Sequence, residues 1–392
     1  LVVRNNGDII FDLDTDFLHN GRPQRHMTAV MPSPSRTEMN KAEFVSIFGD
    51  IDVVSSLQQL MRHPNISSKE AIIHRYDYEI RGATLVRPLV GAQLDGHADG
   101  VVVAEPLDVH GIAIGIGVNP WFGEQDPERM ALSVVDEAIR NVVAVGADPD
   151  KIALLDNFSW GDPRRETTLG HLVAAVNGCC TAAKAFAAPF VSGKDSLNNE
   201  YFGSDGERHS VPPTLVITAV AHVPDANATV TPDLKSTSNV LLVLGHTSCE
   251  FGGSHLAKVL NLSVSGAVPD FDTAAPARYR KLHGAIRAGL IQSCHDVSEG
   301  GIGVAVAEMA IAGRLGVDMS CCEKANDAQW LFSESNGRFI VEVKKEDATE
   351  VLSLFTGESC ELGIVTDNDF LLFSNGRDVS VSELTDIWKT QQ

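Results

Sequence analysis

No C-x-x-C pair occurs among the seven cysteines of this sequence, which removes the commonest zinc-binding arrangement. Their number is odd and no framework spacing joins them. The expectation is therefore reduced thiols in a cytoplasmic protein, not a disulfide-stapled secreted one. The adjacent pair Cys179-Cys180 lies in an Ala-rich helical run and reads as core packing. No stretch approaches about 20 uninterrupted apolar residues and no signal peptide opens the chain, so no membrane span is expected. Positive charge is scarce: 31 Lys and Arg stand against 52 Asp and Glu, a formal net charge of -21. Such a surface repels nucleic-acid phosphates and anionic lipid headgroups, which excludes both as expected partners. A small anionic substrate is compatible only where magnesium and a few local cations offset the field. The first residue is Leu1 rather than Met, from which a fragment or processed chain with an N-terminal neighbour is expected.

What is present is an ordinary globular composition, 44% hydrophobic and 21% charged over 392 residues. That length suggests two or three domains and a core large enough to need no covalent staples. Residues 1–80 read as a lead-in, with a strand at Asp8–Asp12, a Pro- and Ser-containing stretch at 31–35 and a helix over 55–62. A second helix is expected to start at Ser67 as N-cap, with Glu70 as its capping-box partner. Residues 81–225 form a first domain. Strands are expected at 100–104 and 111–116, then a helix capped by Asp126 with Pro127 at its first position. A strand at 151–155, a long helix over 168–187, a strand at 189–192 leading into a polar loop, and a strand at 214–220 complete it. Residues 226–238 read as a linker. Residues 239–378 form a second α+β domain, with strands at 239–245 and 338–343 and helices near 276–289 and 301–313; residues 379–392 are left as a tail.

Four loops have the composition of phosphate or magnesium sites, and each has a plain structural alternative. Leu94-Asp95-Gly96-His97-Ala98-Asp99-Gly100 offers hard oxygen ligands on a flexible backbone, or an ordinary Asp-Gly turn. Glu137 and Asn141 stand i,i+4 on a mostly apolar helix, so both project from one face. A carboxylate there is costly to desolvate unless a metal, or Arg140 and solvent, pairs with it; the neighbouring Asp136 is expected to be exposed. Ser192-Gly193-Lys194-Asp195-Ser196 follows an apolar strand, where Gly allows a close phosphate approach and Lys supplies charge. It lacks Walker spacing and reads equally as a polar turn. Asp296 and Ser298, before Gly300-Gly301 and a helix start, suit an anion or magnesium, or simply cap the helix. Glu250-Phe251-Gly252-Gly253-Ser254 and Phe332-Ser333-Glu334-Ser335-Asn336 are suggestive but less specific. His97 and His295 have no oriented partner in the sequence and are not taken as acid–base groups.

As an ordered set these segments resemble one family. Tyr76-Asp77-Tyr78-Glu79-Ile80-Arg81-Gly82, the Asp95-Gly96 loop, Gly117-Val118-Asn119-Pro120 and Asp136-Glu137-Ala138-Ile139-Arg140-Asn141 come in the family's order. Leu155-Asp156-Asn157-Phe158, Ser192-Gly193-Lys194-Asp195-Ser196, Phe251-Gly252-Gly253-Ser254, His295-Asp296-Val297-Ser298-Glu299-Gly300-Gly301 and Phe332-Ser333-Glu334-Ser335 follow. Over residues 65–375 the chain is similar to the second synthetase half of the phosphoribosylformylglycinamidine synthases. The resemblance implies two α+β domains like those of aminoimidazole ribonucleotide synthetase (a PurM-like fold). It implies an ATP-dependent C–N ligase of purine biosynthesis, which converts the amide of formylglycinamide ribonucleotide to an amidine with ammonia from a glutaminase subunit or domain.

By the same resemblance Ala98 and Ser298 would contact ATP or ADP, and Asp99, Glu137, Asn141 and Asp296 would hold Mg2+. Asp156, Gly193 and Ser196 match the part of a catalytic ATP site that this half completes. Lys194 stands where the family's small form has a metal-binding Asn, and here follows the large form as a nucleotide contact. The family's catalytic histidine and its glutaminase nucleophile have no counterpart here, so little synthetase activity is expected without the N-terminal half. The alternatives are a structural ADP–magnesium module without turnover, or a stand-alone relative of aminoimidazole ribonucleotide synthetase.

Overall fold

The computed structural model describes residues 1–104, 109–264 and 266–390. Two mixed sheets organise the chain. In the first, β1 (Thr84–Val86), β2 (Gly100–Val103), β3 (Gly111–Val118), β4 (Ile152–Ser159), β5 (Phe190–Ser196) and β6 (Thr214–Val223) lie in the order β1-β2-β3-β6-β4-β5. All neighbours are antiparallel except β4 and β5. In the second, β7 (Val240–Leu244), β8 (Ile291–Asp296), β9 (Gly316–Asp318), β10 (Phe339–Val343), β11 (Ser359–Thr366), β12 (Phe370–Leu372) and β13 (Asp378–Ser380) run in the order β8-β10-β7-β11-β9-β12-β13. The α+β, two-domain architecture is as expected from the sequence. Strands β9, β11, β12 and β13 carried no sequence expectation, because β9, β12 and β13 are only three residues long and β11 mixes polar and apolar residues without clean alternation.

Helices cover the sheets where the amphipathic pattern demands it. The principal ones are α1 (Val53–Arg62), α2 (Pro127–Ala144), α3 (Glu166–Phe186), α4 (Ala275–Arg287), α5 (Gly301–Gly313) and α6 (Val381–Lys389). Asp126 caps α2 as expected, its carboxylate accepting the amide protons of Glu128 and Arg129. Along β3 the odd-numbered residues face α2 and the even-numbered ones face away. Gly115 and Gly117 occupy that inner face, and a Cβ at Gly117 would stand 2.0 Å from the Val134 carbonyl oxygen. The missing side chains let α2 lie directly on the strand.

Several local expectations give way to tertiary contacts. Ser67 does not cap a helix: the helical turn begins at Glu70, and Ser67 donates its amide to the His63 carbonyl instead. The Ser-Gly-Lys-Asp-Ser stretch is not a loop but the end of β5, paired in parallel with β4. Of the two adjacent cysteines in α3, Cys179 is buried and Cys180 exposed, so only one packs in the core. The later lead-in joins the second domain, where the rings of Phe44 and Phe48 pack at a tilt against Phe251, and Leu57 and Leu60 are buried. Residues 379–390 also join it as the end of β13 and α6, with Leu384 and Trp388 in the core.

Gly117→Ala should separate α2 from β3 and lower stability by about 1–3 kcal/mol, the usual cost of overpacking. Chemical denaturation checks this, and an unchanged midpoint would show that the helix can shift without loss.

Candidate functional site

Close packing of α2 on β3 fixes two side chains. The Glu137 carboxylate accepts the Val118 amide proton at 3.0 Å, and the Asn141 side-chain amide donates to the Ile116 carbonyl at 2.7 Å. Both then face a cavity of about 250 Å³ between the two domains. The same cavity is lined by Ala98 and Asp99 from the turn before β2, and by Asp296 and Ser298 from the turn after β8. Six of the ten residues singled out from the sequence thus converge from both domains. Asp156, Gly193, Lys194 and Ser196 do not line it. They lie at the paired ends of β4 and β5, where Asp156 is the register partner of Gly193 and the Lys194 ammonium donates to Ser196 Oγ at 2.7 Å. Gly193, Lys194 and Asp195 are exposed there.

Asp136 is buried, against expectation, at 1% exposure. It accepts from the Tyr279 hydroxyl at 2.5 Å and from the Gly337 amide at 3.0 Å, and is paired with Arg140. The carboxylate turned inward because Arg140, one helical turn on, is buried too and needs a counter-ion. Arg140 also donates to Ser298 Oγ at 2.7 Å and approaches Asp296 at 3.3 Å. Ser298 in turn donates to Asp296 at 2.5 Å.

His295, for which the sequence offered no partner, is held by two. Its Nδ1 donates to Asp99 Oδ1 at 2.5 Å and its Nε2 to Glu308 Oε2 at 3.1 Å. Burial would lower its basicity, but Asp99 and Glu308 outweigh that and hold it well above the ordinary histidine value. Burial pushes Asp99 up to about 6 against the pull of His295. It also pushes Glu137 well up, with Glu299 and Asp296 adding repulsion. Asp296 would rise by burial alone, yet Arg140 and His295 keep it below the usual carboxylate range. His97 is driven down to about 3 by burial and by Lys69, so it is neutral, and its Nε2 accepts the Lys69 amide proton at 2.9 Å.

The donor set fits a hard divalent cation. Asp99 and Asp296 bring carboxylate oxygens within 4.8 Å of one another beside His295. The buried Asp99 Oδ2 and Asn141 Oδ1 have no hydrogen-bond partner. Buried oxygens seldom remain unpaired in a protein, and carboxylate and amide oxygens are what magnesium takes. Sequence reasoning passed over Lys69, His97, Glu299 and Glu308 as cavity residues. Glu308 had a signal, being the one charged residue in the apolar helix α5. Lys69 had none, because its lead-in segment reaches the cavity only through the fold.

Beneath the Ser298–Gly301 turn lie the two less specific loops. Glu334 Oε1 accepts the amide protons of His255 at 2.8 Å and Gly300 at 2.9 Å, and contacts His255 Nδ1 at 3.0 Å. Glu250 accepts from the Asp270 amide at 2.8 Å and from Ser335 Oγ at 3.1 Å. Burial outweighs these bonds and pushes Glu250 up to about 7.

Residues 93–223 match the family model described as AIR synthase related protein, N-terminal domain, and residues 237–371 its C-terminal domain counterpart. Together these stretches make up well over half of the chain. The phosphoribosylformylglycinamidine synthase subunit PurL of Alkaliphilus metalliredigens (strain QYMF) is 29% identical over 388 residues, covering 97% of this chain and 50% of that protein. The chain thus spans about half the length of this curated relative. Thermotoga maritima PurL complexed with FGAR superposes with a TM-score of 0.66 at 17% identity, over 87% of this chain and 55% of that one. Thermotoga maritima PurL complexed with ADP gives 0.62 at 18%, over 85% and 51%. A chain of the HypE–HypF complex gives 0.56 at 14%, over 80% and 97%. At these identities the superpositions speak for the fold.

Glu250 carries a pH dependence with a definite sign. Its folded-state value is raised, so between the ordinary glutamate value and about 7 the folded chain holds a proton that the unfolded chain has released. Its contribution is complete below that window and is lost as pH rises through it. Glu250→Gln should therefore flatten the fall in Tm from about pH 5 to about pH 8. Parallel melting profiles of variant and wild type would refute this assignment.

Proposed function

The chain belongs to the AIR synthase related family, and from that premise we propose that it is one half of a phosphoribosylformylglycinamidine synthase, binding Mg2+ with ATP or ADP between its two domains. The observation that carries the proposal is the convergence of Ala98, Asp99, Glu137, Asn141, Asp296 and Ser298 on one cavity, with two buried oxygens lacking partners. Asp99, Glu137, Asn141 and Asp296 would hold the metal, and Ala98 and Ser298 would contact the nucleotide. When bound, magnesium neutralises phosphate charge, which this acidic cavity otherwise repels. The chain's own residues orient and hold: Arg140 keeps Asp296 ionised, and the amide of Val118 and the carbonyl of Ile116 fix Glu137 and Asn141.

The exposed β4–β5 edge, with Asp156, Gly193, Lys194 and Ser196, is proposed as this half's share of the catalytic ATP site. There ATP would phosphorylate the amide oxygen of formylglycinamide ribonucleotide with release of ADP, and ammonia from a glutaminase partner would displace that phosphate to form the amidine, the reaction of a C–N ligase in a cytoplasmic pathway. The other share would come from an N-terminal synthetase half. An uncovered apolar face on the first sheet supports that: Leu85, Ile112 and Ile116 are 47%, 49% and 51% exposed, and such a face packs readily on a second sheet.

For the interdomain cavity itself, a structural role without turnover is favoured by one observation. Both nitrogens of His295 are committed to carboxylates, which leaves that imidazole no free base to act with. A ligand at 100 times its dissociation constant would add about 2.7 kcal/mol of stability.

Denaturing release and chromatography of the purified chain should yield near-stoichiometric ADP or ATP, with magnesium found by elemental analysis. Asp99→Ala and Asp296→Ala should each abolish both. A nucleotide-free chain showing no thermal shift with Mg-ATP would sink the ligand assignments. Light scattering should show self-association through the apolar sheet face, reversed by Ile112→Lys with Ile116→Lys. A strictly monomeric wild type would count against that face as a docking surface for a related sheet.

A further inference from the structure

Two cavity walls are irregular segments far apart in sequence. Asn65, Ile66 and Lys69 come from the lead-in, and His97, Ala98 and Asp99 from the turn before β2. Neither segment has an extended ladder of its own: the two-residue strand at Gly96–His97 pairs only with Leu89–Val90. Both are instead tied to the C-terminal helix α6. Trp388, 1% exposed, donates its indole N–H to the Ile66 carbonyl at 2.8 Å and accepts the Ser68 amide proton at 2.9 Å. Its ring lies 4.6 Å from the His97 ring, between centroids. Lys389 reaches both segments as well. Its ammonium bonds Asp95 at 2.6 Å and Glu70 at 3.1 Å. Asp95 is 2% exposed and shares the same oxygen with Arg314, so its charge needs these cations.

We propose that α6 is a positioning clamp for the interdomain site, with Trp388 and Lys389 fixing the distance between the 65–70 and 95–99 segments. This rests on the reading of the cavity as a magnesium–nucleotide site. Neither residue lines the cavity: Trp388 acts through Ile66 and His97, which do, and Lys389 through Glu70 and Asp95 on the same two segments. Trp388 orients His97, whose Nε2 holds the Lys69 amide, and Lys389 holds Asp95 four positions before Asp99. Metal and phosphate sites depend steeply on such supporting contacts, because ligand atoms displaced by a fraction of an ångström lose their geometry together.

The test is isothermal titration of the full chain, stripped of nucleotide, with Mg-ADP. Lys389→Met should weaken binding by about tenfold or more. Its Tm should stay within about 2 °C, since Arg314 still pairs Asp95 and the lysine is partly solvated. Lys389→Arg should restore most of the affinity, and Trp388→Phe, which keeps the apolar packing but loses the indole N–H, should weaken binding with little change in fold. Folded Lys389→Met and Trp388→Phe chains that bind Mg-ADP as tightly as wild type would overturn the clamp alone. A wild-type chain that fails to bind Mg-ADP would overturn the reading of the cavity and the clamp with it.

Discussion

The guanidinium of Arg140 is buried where the two domains meet, and the relative placement of the domains depends on satisfying it. It pairs with Asp136 on its own helix and with Asp296 at the end of β8. Asp136 is itself completed by the Tyr279 hydroxyl from α4 and the Gly337 amide. Removing one partner of a buried charge pair typically costs about 3–5 kcal/mol, because the other is left uncompensated. Here any sliding of one domain over the other would strand several charges together. The network therefore sets which surfaces face each other, and the acidic cavity is the space left beside it.

That cavity carries more acid than base. Asp99, Glu137, Asp296, Glu299 and Glu308 line it, against Lys69, His295 and the neighbouring Arg140. The protonated His295 bridging Asp99 and Glu308 relieves part of the repulsion. Burial raises Glu137 and Glu299 for the rest. A divalent cation would relieve the same strain without protons, which is why the proposed ligand set suits the electrostatics as well as the atom types.

Much of this was legible in the sequence, for definite reasons. Asp126-Pro127 announced α2, and the Glu137–Asn141 spacing placed both on one face, because capping and helical periodicity are local. Gly300-Gly301 marked the turn after β8 for the same reason. Asp136 was misjudged because its burial answers to Tyr279 and Gly337, more than 140 residues away. Ser67 failed as a cap because His63 and α6 hold its segment in another shape. The Lys194 stretch looked like a loop because polar residues with Gly seldom form strands, yet pairing with β4 extends it. His295 had no visible partner since Asp99 lies in the other domain.

The two groups of predicted residues differ in a way that bears on how the chain works. The cavity group is lined by residues of both domains and the lead-in, so its walls come from this chain. The group around Asp156 and Gly193 lies on a strand pair with Lys194 and Asp195 turned to solvent. An enclosed site can hold a ligand with the residues already around it, whereas an open one needs a second surface before water is excluded and charges act at short range. On the proposed reading the chain contributes both: a complete site that stabilises its own fold, and an incomplete one that an apposed half would close.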